Sequence, residues 1–222
     1  MRFGTRALTV GGVAVAMAYL ESAVVVYLQR ALDITPDRLF PLRGPDVVGD
    51  LAAIEVGREF ATLVMLAGIG CLAGRTRIER LAWSAVAFGV WDIFYYAWLW
   101  VFLGWPNSPG NWDVLFLIPV PWTGPVWAPL IVSAALIGFG ITAAHGLDIG
   151  RPVRAGRTSL ALGISGGLLV VLSFTVDATR IMAGGLPGWY PWPIFVAGMA
   201  LATWGGVLAL GRFTPGARLG GD

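Results

Sequence analysis

Residues 81–103 read LAWSAVAFGVWDIFYYAWLWVFL, a run of 23 residues whose one charge, Asp92, stands at its midpoint. A helix needs about 20 mostly apolar residues to cross a bilayer, so this run is long enough to span one. An ionisable group in the middle of a span is costly, and by default it marks a functional site.

Five further stretches qualify as spans: Leu8–Leu28, Leu51–Ala73, Pro125–Ala144, Thr158–Val176 and Trp192–Leu210. The connections between them are short. The expected fold is therefore an all-α integral membrane protein, a single transmembrane bundle of six helices over residues 1–222. A seventh apolar run, Trp112–Trp122, contains Pro119 and Pro121 and is too short to span. It predicts an interfacial or re-entrant segment between helices 3 and 4, tolerable only where protein covers its backbone.

Composition points the same way. The chain is 57% hydrophobic and 13% charged, with 31 Gly and 11 Trp. Globular domains are about 45–50% apolar and about 25% charged. A disordered chain, an ordinary soluble domain and a nucleic-acid binder are excluded on this balance.

All 15 basic residues are Arg, and their distribution orients the bundle. Arg2, Arg6, Arg75, Arg77, Arg80, Arg151, Arg154, Arg157, Arg212 and Arg218 fall on one side. Arg30, Arg38, Arg43 and Arg180 fall on the other, and Arg58 lies inside span 2. The excess of Arg on cytoplasmic loops predicts both termini in the cytoplasm of a multi-pass cell-membrane protein. Arg2, Arg6 and Ala16-Met17-Ala18 have some features of a cleavable signal peptide. The apolar run continues past Glu21 to Leu28, however, so a retained span is expected.

With this orientation Glu21, Glu55, Arg58, Glu59, Asp92 and Asp177 all fall in the middle or outer half of the bundle. Asp113 joins them from the outer loop, and the inner halves are almost uncharged. Glu55 and Glu59 are four residues apart and share a helix face, as do Asp92 and Tyr96. Arg58 is three residues on from Glu55. Asp177 and Arg180 read as an exposed interfacial pair. Two cations cannot compensate Glu21, Glu55, Glu59, Asp92 and Asp177 in a low dielectric. At least one acid is expected to hold a proton near neutral pH, as a general acid, a relay or a cation ligand needs.

Trp91, Tyr95, Trp98, Phe102 and Trp105 form one stripe on span 3. Trp and Tyr usually mark the membrane interface, but Trp91 and Tyr95 lie near mid-span beside Asp92. An aromatic wall beside buried acids suits a flat, apolar or cationic ligand. Candidate proton-handling residues are Glu21, Glu59 and Asp92. Glu55, Arg58, Trp91, Tyr95, Tyr96 and Asp177 are candidate substrate-binding residues.

Other chemistries find little material. Cys71 is the sole cysteine and reads as a small packed hydrophobe. His145 is the sole histidine and ends span 4 on the cytoplasmic side, where a helix C-terminus favours it. A bis-histidine haem and a His-rich metal site are excluded. Gly70/Gly74, Gly163/Gly167 and Gly198/Ala202/Gly206 are spaced for close helix packing.

Three functions compete. The first is an acid/base enzyme acting on an apolar isoprenoid-, sterol- or quinone-like molecule. In broad design, with few helices, intramembrane acids and aromatics, the chain resembles the small membrane terpene cyclases. That resemblance is one of architecture and carries no residue roles. The second is a carrier or binding protein for a cation or cationic solute. The third is a non-catalytic subunit of a larger membrane complex. The expected partners are the lipid bilayer and an apolar small molecule or lipid, with a protein partner open and no nucleic acid. The residues name no cofactor.

Overall fold

The computed structural model describes residues 2–35, 39–41, 51–151 and 153–211. Six helices are long and apolar enough to cross a membrane. They are α1 (Phe3–Ala31), α2 (Leu51–Ala73), α3 (Arg77–Leu103), α4 (Trp127–Asp148), α5 (Arg157–Thr175) and α7 (Trp192–Ala209). A short α6 (Ala178–Met182) extends α5. Arg38, Arg43, Arg212 and Arg218, used above to orient the chain, lie outside the described residues.

The third span is the hub. α3 packs against α1, α2 and α4, whereas α1 and α2 meet each other over only a short stretch. The start of α3 is fixed by Thr76, whose hydroxyl accepts the Glu79 N–H at 3.1 Å, as a Thr N-cap does. Gly104 ends it with φ +67°, a left-handed conformation that suits glycine. On α1 the core side recurs at four-residue steps, Val10, Ala14, Ala18, Ser22 and Val26. These small residues let α1 lie close to α3, and the Ser22 hydroxyl donates to the Tyr95 carbonyl at 3.0 Å.

α5 and α7 form the second closely packed pair. Backbone proximity decides their interface. A Cβ at Gly166 would lie 2.5 Å from the Gly198 carbonyl oxygen, and one at Gly205 would lie 2.7 Å from the Ser159 carbonyl oxygen. Glycine is required at both because any side chain there would force the two helix backbones apart. Gly163 and Gly167, by contrast, face open space at their Cβ positions, and Gly206 faces the Phe139 ring. Gly198 and Ala202 of the expected stripe do pack on α5, at Gly166, and the Gly163 backbone faces Gly205, so Gly167 and Gly206 alone fall off the α5–α7 interface. Gly70 and Gly74 do pack closely, against the backbone of Arg80 at the start of α3.

Between α3 and α4 the chain makes a two-stranded antiparallel hairpin, β1 (Trp112–Phe116) and β2 (Trp122–Pro125). Trp112 pairs with Pro125, Asp113 with Gly124 and Val114 with Thr123, and an irregularity follows before Phe116 pairs with Trp122. The segment expected to be interfacial or re-entrant thus forms strands, which the sequence did not announce. Hydropathy and the prolines hide an alternation, Trp112, Val114 and Phe116 against Asp113, that strands use. β2 also contacts α4 and α5, so the hairpin bridges the two helical groups. Gly124 lies against the Phe174 and Tyr190 rings, 3.1 Å from each at its Cβ position.

The expectation of almost uncharged inner halves is also corrected. Arg6 of α1 is only 4% exposed and is ion-paired with both Glu79 of α3 and Asp148 of α4. Its guanidinium also lies 5.9 Å from the Trp83 ring. Hydropathy hides these charges because each helix runs one or more turns beyond its apolar run. His145 sits at this end too, its ring 5.0 Å from that of Phe3. Cys71 is exposed rather than packed.

Candidate active site

A cavity of about 700 Å³ lies at the opposite end of the bundle from Arg6. It is bounded by the C-terminal half of α1, the N-terminal half of α2, the C-terminal half of α3, the hairpin and the end of α6. Glu21, Glu55, Arg58, Glu59, Trp91, Asp92, Tyr95 and Tyr96 all line it. Antiparallel neighbours make this convergence possible. The chain climbs through Glu21 on α1, descends through Glu55–Glu59 on α2 and climbs again through Asp92 on α3, so residues far apart in sequence reach one depth.

Asp177 is the exception, for it does not line the cavity. Its Oδ2 accepts the Gly188 N–H at 2.6 Å, closing the loop after α6. Among the described residues it forms no salt bridge with Arg180, so the expected interfacial ion pair is replaced by a carboxylate–amide turn.

Arg58 is committed to two acids. Its Nε donates to Glu55 Oε2 at 2.9 Å, its Nη2 pairs with Glu55 Oε1 and its Nη1 with Glu21. The other Glu21 oxygen accepts the Thr62 hydroxyl at 3.0 Å. Glu21 therefore ties α1 to α2.

Three further carboxyls accept hydrogen bonds from neutral donors among the described residues. Both oxygens of Glu59 accept the Leu117 N–H, at 2.8 and 3.1 Å, which docks the hairpin turn on α2. Asp92 Oδ2 accepts the Ser133 hydroxyl of α4 at 2.8 Å. Asp113 accepts the Tyr96 hydroxyl at 3.0 Å and the Val114 N–H at 2.9 Å. Asp113 lies on β1, outside the six spans. Burial lifts its carboxyl to about 7, partly opposed by the Tyr96 and Val114 hydrogen bonds and reinforced by nearby Asp92. Asp113 thus joins the site with a proton affinity in the useful range. Its membership depends on the hairpin, which turns it inward.

The aromatic stripe divides. Trp91 and Tyr95 stack in the cavity wall, centroids 6.2 Å apart, with Phe116 of the hairpin 6.3 Å from Trp91. Trp105 turns back beside Tyr96 at 6.2 Å. Trp98 and Phe102 instead face Tyr19 of α1, each 5.3 Å from it. Ser133, Thr62 and Leu117 complete the hydrogen bonding of the acids, and none of them stands out in the sequence. An isolated hydroxyl or backbone amide carries no signal there.

Among the described residues no group of three or more His, Cys, Asp or Glu is placed to hold a metal ion. No family model, curated protein or solved structure matches the chain.

Proposed function

We propose that the protein is a membrane-embedded acid/base catalyst that binds an apolar, isoprenoid-, sterol- or quinone-like molecule in this cavity. One observation carries the reading. Among the described residues, five carboxyls and one guanidinium share an aromatic-walled space of about 700 Å³, a volume within the range of small-molecule sites, about 300–1,000 Å³. Five acids crowded around one base in a largely buried site do not all carry charge, so the site holds both protons and carboxylates. A donor and an acceptor then stand around one substrate.

The chemistry this suits is a proton-initiated rearrangement. Asp92 delivers its proton to a carbon–carbon double bond, whose π pair forms the new C–H bond and leaves a cation. The faces of Trp91 and Tyr95 stabilise that cation. Glu59 then removes a proton from a neighbouring carbon, and the released pair forms a double bond. The net change is an isomerisation or ring closure with protons balanced. Glu21, Glu55 and Arg58, bound to one another, hold the field and the helix spacing. That the acids line an interior cavity favours this reading over a subunit whose acids await a partner helix.

The arginine bias orients the bundle with both termini in the cytoplasm. The cavity then opens in the outer half of the cell membrane, under a hairpin that is re-entrant or interfacial. The hairpin's backbone bonds to Glu59 and between its own strands support that placement, since exposed backbone is excluded from lipid.

The test is turnover of polyprenyl substrates by purified protein in deuterated water. Deuterium fixed on carbon of a rearranged product is expected. Asp92→Asn should lower that rate by about 10²-fold or more, as loss of a general acid does. Product formed without deuterium, or undiminished in Asp92→Asn, contradicts the assignment.

A further inference from the structure

The cavity is not uniform along the bundle axis. At the depth of Glu21 the seam between α1 and α2 is closed by the Arg58–Glu21 ion pair and the Thr62–Glu21 hydrogen bond. Beyond it, toward the end of α1 and the start of α2, the lining becomes mostly apolar, Val25, Leu28, Leu32, Leu51 and Ala52, with Glu55 and Gln29 its polar members. From Glu21 to Leu32 is eleven residues, about 16 Å of helix at 1.5 Å per residue. Taken over their whole length, α1 and α2 touch each other little and pack chiefly on α3. The flanks of the seam present large apolar side chains outward, with Tyr27 and Ile54 both about two-thirds exposed, as residues facing lipid do.

We infer that the substrate is a long-chain molecule bound head first, with its reactive end among Asp92, Glu59 and Asp113 and its hydrocarbon chain lying in the α1–α2 seam toward the bilayer. This rests on the acid/base reading above and narrows it to linear, lipid-like substrates over compact polycyclic ones. A compact molecule would fill the carboxyl end and leave the apolar seam without a function. A chain matches it along its length and passes from the membrane to the acids without crossing water. The polar strut at Glu21 and Arg58 marks how deep the chain can slide along the seam.

The experiment uses the full chain in detergent with two probes, a C20 and a C10 linear prenyl alcohol, each binding read by tryptophan fluorescence. Val25→Phe and Leu28→Phe each fill the seam from α1 without adding a tryptophan. Both variants should weaken the C20 probe at least tenfold and change the C10 probe less than twofold. Equal losses for both probes, or no loss for either, overturn the inference while leaving the acid/base reading standing. Failure of the wild type to bind either probe overturns the inference, while the acid/base reading is decided separately by deuterium incorporation. A C20 alcohol with a diazirine at its tail should label the 25–32 segment of α1 or residues 51–52. Tail labels at residues 91–96 would reverse the orientation and sink the inference.

Discussion

The Tyr96 hydroxyl donates a 3.0 Å hydrogen bond to Asp113, and both residues are buried, at 4% and 5% exposure. This bond ties the third span to the hairpin and makes Asp113 part of a site otherwise built from helices. Asp92 lies one turn before Tyr96, so two carboxyls flank one phenol. The hairpin thereby brings an acid to the cavity from outside the spans.

The Asp113 carboxyl gives a pH signature. Its ordinary value is 3.8, and in the fold burial raises it to about 7. An acid raised on folding binds its proton more tightly in the native state. Its stabilisation is therefore complete below about 3.8 and is lost as pH rises through about 7. Thermal melting of the wild type should fall across that window more steeply than that of Asp113→Asn. Parallel curves for the two proteins would contradict the assignment.

The α1–α2 strut should show coupling. Arg58 is 21% exposed on its side chain, so removing it costs less than for a fully buried pair. Arg58→Met is expected to destabilise by up to about 3 kcal/mol, the low end for breaking a buried ion pair. Glu21→Gln in the same chain should recover part of the loss, with a coupling energy of about 0.5–3 kcal/mol. Additive effects in chemical denaturation would show that the pair does not act as a unit.

At the other end, Arg6 pairs with Glu79 and Asp148 and joins three helices. Arg6→Ala leaves Glu79 buried without its cation and should cost about 3–5 kcal/mol. Its residual folded fraction should bind prenyl probes with unchanged affinity, because the cluster lies far from the cavity. A selective loss of probe binding with normal melting would contradict this separation.

Adjacent glycines on α5 should behave oppositely. A Cβ at Gly166 meets the α7 backbone at Gly198 and Ala202, whereas one at Gly167 meets nothing within 4 Å. Gly166→Ala should destabilise by about 1–3 kcal/mol through overpacking. Gly167→Ala should be neutral or stabilise by about 0.5–1 kcal/mol, the helix preference of Ala over Gly. Melting temperatures of the two variants decide it.

The spans were legible because a soluble domain rarely needs an unbroken apolar run of about 20 residues, whereas a bilayer requires one. The charges inside those runs stand out against that background. Glu21, Glu59 and Asp92 could be placed at a common depth from chain direction alone. What was not legible depended on direction around the helix or on distant partners. Glycine spacing placed Gly198 and Ala202 in the α5–α7 interface but missed Gly166 and Gly205, which meet the facing backbone most closely. Arg6 looked like a flanking charge because Glu79 and Asp148, its partners, lie 73 and 142 residues away. Asp113 looked like a loop residue because strand alternation was masked by two prolines and continuous apolarity.

The most direct test of a carboxyl-centred ligand site is native mass spectrometry of the protein extracted in a mild detergent. The expected result is the 23.6 kDa chain with an added mass of roughly a few hundred daltons, the size such a cavity encloses. That added mass should be lost or strongly reduced in Asp92→Asn. A bare wild-type chain, or an adduct retained equally by Asp92→Asn, would contradict such a site.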